Sequence, residues 1–174
     1  AFDFNLEEPE EDGKSFEENS VIKAKYYGKK TGMVSLADDS GLCIELLGGE
    51  PGIYSARFCK DDSGNNNFPF AFDKIAKKLQ EKGVDLKKDE IRAHFICNLS
   101  IYDPENDNVD SFEGRVDGTL TFPARGEKGF GYDPIFICQN MDQTFGEITP
   151  EFKHSISHRA DAFKQLTQFE IEST

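Results

Sequence analysis

The run Leu36-Ala37-Asp38-Asp39-Ser40-Gly41-Leu42 constrains this chain more than any other stretch. An apolar, strand-like segment, Met33 to Ala37, runs into two adjacent carboxylates, a hydroxyl and a glycine. A second strand-like segment, Leu42 to Leu47, follows. Two strands flanking a turn at Asp38–Gly41 are expected. Turn chemistry alone accounts for the run, since Asp, Ser and Gly all favour turns. The same residues also suit a hard-cation site at a strand end, where carboxylate oxygens hold Mg²⁺ against a phosphate. On this run alone both readings stand.

The surrounding pattern sets the fold class. Ser15-Phe16-Glu17-Glu18 has the form of a capping box, with Ser15 as N-cap and Glu18 at the third helical position. It predicts a helix to about Lys30, stopped at Thr31-Gly32. Residues 1–14 read as a short extended piece and then a loop. Phe68 to Lys82 is predicted helical, with Phe72, Ile75, Ala76 and Leu79 on one face and Gly83 at its end. Ala93 to Tyr102 is a predicted strand. It turns at Asp103-Pro104-Glu105-Asn106 into a returning arm, Val109 to Phe122, where Gly114 and Gly118 suggest bulges or bends. A Gly-rich loop, Pro123 to Pro134, leads to a short strand, Ile135 to Cys138. A last helix is expected from Ser157 to about Glu170, with Ala160, Phe163, Leu166 and Phe169 as its apolar positions. Strands and helices mix without strict β-α-β alternation. An α/β chain on a mixed, partly antiparallel sheet is expected, as one domain spanning residues 1–174 and divided at most into two lobes.

Charge and cysteines narrow the function. Acids outnumber bases 33 to 20, for a net charge of −13. That excludes the basic footprint of a duplex-DNA or anionic-membrane binder. An acidic protein that binds a polyphosphate must use a metal and a local cluster of Lys and Arg. Cys43, Cys59, Cys97 and Cys138 are widely spaced with no C-x-x-C pair, which suggests neither zinc nor a disulfide framework. No secretory h-region or membrane-length apolar run is present, so a reducing cytoplasm is the expected setting. Residue 1 is Ala, which fits a processed chain or one that begins part-way into a longer protein.

Three further constellations could carry chemistry. Glu18 serves the capping box, and it could equally join Asp38 and Asp39 on a cation, since a helix start can face a strand end. Asp39 could orient or deprotonate an attacking water. Gly126-Glu127-Lys128-Gly129-Phe130-Gly131-Tyr132-Asp133-Pro134 is either an ordinary hairpin loop with a core-seeking Phe or a loop that lets an aromatic ring stack on a flat ligand. Lys153-His154-Ser155-Ile156-Ser157-His158-Arg159 gathers cations at a helix start, with Ser157 as a natural N-cap. There His158 and Arg159 oppose the helix dipole, and a residue placed against stability is a candidate for function. Lys23 and Lys25 are either a solvated helix face or within reach of phosphates.

Taken together, these runs resemble the inosine triphosphate pyrophosphatase (Ham1-like) family. Ser15 to Ala24 matches its S-F-x-E-N-(A/S)-x-x-K-A helix start, and Ala37 to Leu42 its A-D-D-S-G-L run. Leu47 to Arg57 matches its L-G-G-x-P-G-x-Y-S-A-R loop. Gly129 to Phe136 and Ile156 to Arg159 match the remaining signatures, in family order. The resemblance implies an elongated α/β fold with its site in a cleft between two lobes. It implies hydrolysis of non-canonical purine nucleoside triphosphates such as ITP, dITP and XTP to the monophosphate and pyrophosphate. Mg²⁺ and a homodimer are implied, with no polymeric nucleic acid and no membrane as partner. Asp39 would be proton acceptor and metal ligand, and Glu18 a second metal ligand. Ser40, Lys23, Lys153, Phe130, Gly131, Tyr132 and Asp133 would contact substrate, and His158 and Arg159 would read the base. Family members begin with a strand and a T-x-N-x-x-K loop that grips the triphosphate, and nothing in residues 1–14 matches it. A sequence that omits this segment is the expected reason. Its true loss would leave a catalytically silent nucleotide-binding protein. A Maf-like pyrophosphatase for modified pyrimidines is a further alternative, against which Ser157-His158-Arg159 argues.

Overall fold

The computed structural model describes residues 6–172. Its elements are α1 (Phe16–Thr31), β1 (Ser35–Ile44), α2 (Ser55–Phe58), α3 (Phe68–Glu81), β2 (Arg92–Asp103), β3 (Asn108–Leu120), β4 (Phe136–Cys138), α4 (Pro150–Ile156) and α5 (His158–Glu172). The four strands form an antiparallel sheet in the order β1-β2-β3-β4. β3 and β4 pair with Gly118 opposite Cys138 and Leu120 opposite Phe136. The expected α/β class is therefore met. The expected extended piece at the amino end falls partly on residues 1–5, outside the described residues, and residues 6–13 carry no regular structure. No described helix is long and apolar enough to cross a membrane.

The chain divides into two compact units. One comprises residues 1–40, 96–114 and 158–174, and the other residues 41–95 and 115–157.

In the first unit, α1 begins where the capping pattern places it. Ser15 is extended, and its Oγ accepts the Glu18 N–H at 3.1 Å. Gly32 closes the helix at φ 68°, a left-handed position that costs Gly nothing. Strands alternate their side chains between faces. Asn98 and Ser100 of β2 and Ser111 of β3 accordingly meet Ser20 of α1 through a chain of hydroxyl and amide bonds of 2.7–2.8 Å. Cys97 and Leu99 point the other way and pack on Ala162 of α5. The two helices thus cover opposite faces of these strands.

The second unit holds the larger core. α3 buries Ala71, Phe72, Ile75 and Leu79, a helical stripe, against Leu42, Ile44, Ala93, Phe95 and Val116 of the strands. Each fully buried aliphatic or aromatic side chain of this kind is worth about 2 kcal/mol. The rings of Phe95, Phe136 and Phe145 pack edge to face or offset, with centroids 4.6 Å and 5.1 Å apart for the two closer pairs.

Three expectations need correction, and one helix went unread. The Asp38–Gly41 segment is not a turn: β1 runs unbroken from Ser35 to Ile44. Turn-prone residues stay extended there because the neighbouring strand and two helices engage them. Gly114 and Gly118 do not break β3. A Cβ on Gly114 would overlap the backbone of His158 and Ala162, and one on Gly118 the carbonyl of Ile137, so both glycines permit close approach. The last helix, α5, lies where it is expected, and a helix that the sequence reading did not name, α4, precedes it. α4 starts at Pro150 behind a Thr149 cap, and the break falls at Ser157, extended at φ −79°, ψ 162°. The buried stripe of α5 runs through His158, Ala162 and Leu166, whereas Phe163 and Phe169 are exposed.

Gly114→Ala should therefore cost at least about 2–3 kcal/mol by overpacking. Gly32→Ala, whose Cβ would meet nothing within 4 Å, should cost only about 1 kcal/mol for its positive φ. Urea unfolding midpoints of the two variants would test that order.

Candidate active site

Because β1 is extended, Asp38 and Asp39 leave it on opposite faces. Asp39, 8% exposed, turns toward α1. Its Oδ2 accepts from Asn19 Nδ2 at 3.2 Å and its Oδ1 from Lys23 Nζ at 3.1 Å. Asn19 and Lys23 are four residues apart, so they rise from one helix face a turn apart and take one carboxylate oxygen each. Asn19 Oδ1 in turn accepts the Gly13 N–H at 2.9 Å, which fixes the amide's orientation. Burial raises the Asp39 pKa despite the opposing pull of Lys23 and Asn19. Burial alone would lower Lys23, but the carboxylates of Asp39 and Glu11 outweigh it and keep the ammonium charged. Lys23 also bridges to Glu11 at 3.3 Å.

Glu18 sits in the first turn of the same helix. The capping box is modified: the Glu18 carboxylate accepts from the Lys14 N–H at 2.7 Å, one residue before the cap. A trio of Glu18, Asp38 and Asp39 on one cation is not assembled. Asp38 faces away, and no group of three or more metal-type side chains is gathered among the described residues. Glu18 and Asp39 both supply the donor type that a hard cation takes. They are hard carboxylate oxygens with lone pairs left over, and Mg²⁺ keeps most of its waters.

The other face of β1 presents Asp38 and Ser40. Asp38 Oδ2 accepts from Ser40 Oγ at 2.8 Å and from Arg159 Nη2 at 3.2 Å. Arg159 Nη1 lies 3.2 Å from Nε2 of His158, which is 2% exposed. Arg159, which opposes the α5 dipole, thus meets an aspartate, which offsets the unfavourable placement. Cys97, fully buried, lies under Ser40. Burial pushes its thiol up, although a hydrogen bond from Ser40 pulls the other way.

In the second unit the Gly-rich loop turns at Gly129 and Gly131, at φ 73° and 66°, and lifts the Phe130 ring to 63% exposure. Asp133 stays below, 2% exposed. Its Oδ2 accepts the Phe130 N–H at 2.8 Å and Lys153 Nζ at 2.5 Å. The Lys153 ammonium lies 4.2 Å from the Phe130 ring centroid, within cation–π range. Tyr132 turns inward. Its hydroxyl donates to the Ser55 carbonyl at 2.8 Å, its ring packs edge-on to Phe68, and burial drives its pKa well up. Of the four loop residues expected at a ligand, Phe130 is the one that faces solvent. Gly131 shapes the turn, and Tyr132 and Asp133 are engaged inside the unit.

The first unit therefore brings Lys23 to Asp39, with Glu18 on the same helix, and separately brings Ser40 and Arg159 to Asp38, with His158 beside Arg159. The second unit gathers Phe130, Gly131, Tyr132, Asp133 and Lys153. Sequence reasoning missed Asn19 as an Asp39 partner, although its spacing from Lys23 was a usable signal. It missed Asp38 as the partner of Arg159, a contact between residues 121 positions apart that no local pattern announces.

Two outcomes follow from these environments. Lys153→Met strands the buried Asp133 carboxylate and should cost about 3–5 kcal/mol, whereas the double change Lys153→Met with Asp133→Asn should recover part of that loss. Denaturant midpoints would measure both. Cys97 should resist iodoacetamide in the folded chain at pH 8, read by mass spectrometry. Because folding raises its pKa, its contribution to stability should be full below about pH 8.5 and decline as pH rises further, a decline that Cys97→Ala should reduce.

The Ham1 family model matches residues 2–169. A dITP/XTP pyrophosphatase of Zymomonas mobilis is 49% identical over 166 residues, covering 95% of this chain and 76% of that protein. One from Brucella melitensis is 43% identical over 171 residues, covering 94% and 77%. A solved HAM1 protein from Coxiella burnetii superposes with a TM-score of 0.86 at 36% identity, over 98% of this chain and 84% of that one. The Ham1 protein of Staphylococcus aureus gives 0.81 at 38%, over 98% and 83%. Motif order, strand and helix placement and these matches agree, and the chain belongs to the Ham1 family.

Proposed function

We propose that this protein hydrolyses non-canonical purine nucleoside triphosphates, the ITP, dITP and XTP class, to the nucleoside monophosphate and pyrophosphate. The observation that carries the reading is Asp39, a buried carboxylate with each oxygen already oriented by a donor from α1. Relatives at 41–49% identity that bear the name dITP/XTP pyrophosphatase support the substrate class.

In this mechanism Asp39 accepts a proton from water as the water oxygen bonds to the α-phosphorus. The bond from that phosphorus to the bridging oxygen breaks, and pyrophosphate leaves with the bonding pair. Glu18 and Asp39 would hold Mg²⁺, which when bound would neutralise charge on the phosphate chain. Lys23, whose ammonium stays charged beside Asp39, would meet an incoming phosphate oxygen. Ser40 and Lys153 contribute further polar contacts to substrate. Phe130 offers its exposed ring to the purine face, with Gly131, Tyr132 and Asp133 setting the backbone that carries it. Arg159, with His158, donates to the O6 acceptor of a 6-oxo purine. Adenine presents an amino donor at that position, so ATP meets donor with donor. A buried mismatch of this kind can discriminate by roughly 10⁴-fold.

The same reading takes a homodimer as the assembly and a reducing cytoplasm as the setting. Met33, Val34 and Leu36, each at least 50% exposed, are the apolar side chains a partner subunit would cover. The cysteines among the described residues are all free thiols, as a reducing compartment would leave them.

With Mg²⁺ present, ITP should yield IMP and pyrophosphate, with little product from ATP or GTP. Asp39→Asn should lower kcat by about 10²–10⁴-fold while the melting temperature stays close to the parent's. Orthophosphate in place of pyrophosphate, or ATP turned over as fast as ITP, would overturn the assignment.

A further inference from the structure

We propose that Asp38 is the positioning residue for base discrimination, holding the Arg159 guanidinium in place through Oδ2. The inference rests on the reading of Arg159 given above. It divides the two adjacent aspartates between the two ends of one nucleotide, Asp39 for the phosphate chain and Asp38, through Arg159, for the base.

Three observations support it. The unbroken strand puts Asp38 on the face it shares with Ser40 and turns it away from Asp39, so Asp38 is not a spare copy of its neighbour. Ser40 Oγ donates to the same oxygen that receives Arg159, at 2.8 Å, which fixes the carboxylate rotamer independently of the arginine. Arg159 is then held at both terminal nitrogens, Nη2 on Asp38 and Nη1 beside the buried His158. The side chains of Asp38 and Arg159 are 42% and 40% exposed. An ion pair this open contributes little to folding, so its effect is chiefly geometric.

The geometry matters for specificity. An arginine has a long, flexible stem, and a donor that can swing aside does not reject a base that offers a donor. Only a donor held in place turns a hydrogen-bond preference for O6 into an uncompensated clash with an amino group. Loss of Asp38 should therefore weaken the right substrate and admit the wrong one, without touching the chemical step.

The test compares Asp38→Asn, Asp38→Ala, Arg159→Ala and the double variant Asp38→Ala with Arg159→Ala, in the full chain with Mg²⁺. ITP and ATP turnover are read beside the Mg²⁺ half-saturation and the melting temperature. Asp38→Ala should lower kcat/KM for ITP about tenfold, mainly through KM, and shrink the ITP-to-ATP ratio by a similar factor, as coupled neighbours do. In the Arg159→Ala background the same change should add less than about twofold. Asp38→Asn should fall between parent and Asp38→Ala, with melting temperature and Mg²⁺ half-saturation unchanged. Equal loss toward ITP and ATP, a shifted Mg²⁺ half-saturation, or full additivity with Arg159→Ala would each overturn the proposal. If Arg159→Ala leaves the ITP-to-ATP ratio unchanged, the reading of Arg159 itself fails. If Arg159→Ala collapses that ratio while Asp38→Ala does not, only the role of Asp38 fails.

Discussion

The alternation of side chains along β1 is the constraint on which the first unit depends. A strand delivers successive residues to opposite faces, so the pair Asp38-Asp39 can supply two separate clusters from adjacent positions. Each cluster is completed by a helix on its own side: α1 brings Asn19 and Lys23 to one carboxylate, and α5 brings Arg159 to the other. Were the segment a turn, both carboxylates could crowd one cation and neither helix would find its partner. The strand also explains how charge is tolerated in partly buried surroundings, since each carboxylate receives donors from a helix already packed on its face of the sheet.

Close approach of the helices is the second requirement, and small residues meet it. α5 lies against β3 because Gly114 offers no side chain, and α1 lies against Tyr102 because Gly28 offers none. Apolar contact from Cys97, Leu99 and Ala162, and the hydroxyl chain from Ser20 to Ser111, then occupy the two faces. In the second unit a buried ion pair does comparable work under a loop. Lys153 and Asp133 neutralise one another, and the same aspartate oxygen takes the Phe130 N–H, so an exposed ring sits on an anchored backbone.

What could be read in the sequence follows the range of the forces involved. α1 was legible from end to end, because its Ser15 cap and Gly32 stop are local. α3 and β2 were legible from their apolar patterns, whose periods are also local. The Asp38–Gly41 segment misled because turn propensity is a local signal that sheet pairing and two helices override. α4 went unread although Thr149-Pro150 is a helix-start pattern, because the cationic motif just beyond it absorbed the interpretation. Within the candidate site, residue types were legible from motif resemblance but partners were not. Asp38 with Arg159, Lys153 with Asp133 and Tyr132 with Ser55 join residues far apart in the chain, and such pairings exist only once the fold does.

The two-faced strand has a consequence for how such a chain can change its length. Deleting or inserting one residue between Ser35 and Ala37 would exchange the faces of Asp38 and Asp39 and hand each helix the wrong carboxylate. A substitution at Leu36, which is 50% exposed, disturbs nothing of the kind. A change of length should therefore be tolerated best in the connection before Ser35, where Gly32 and its neighbours can absorb it. In this part of the fold, spacing along the backbone constrains the clusters more tightly than the identity of the side chains between the fixed points.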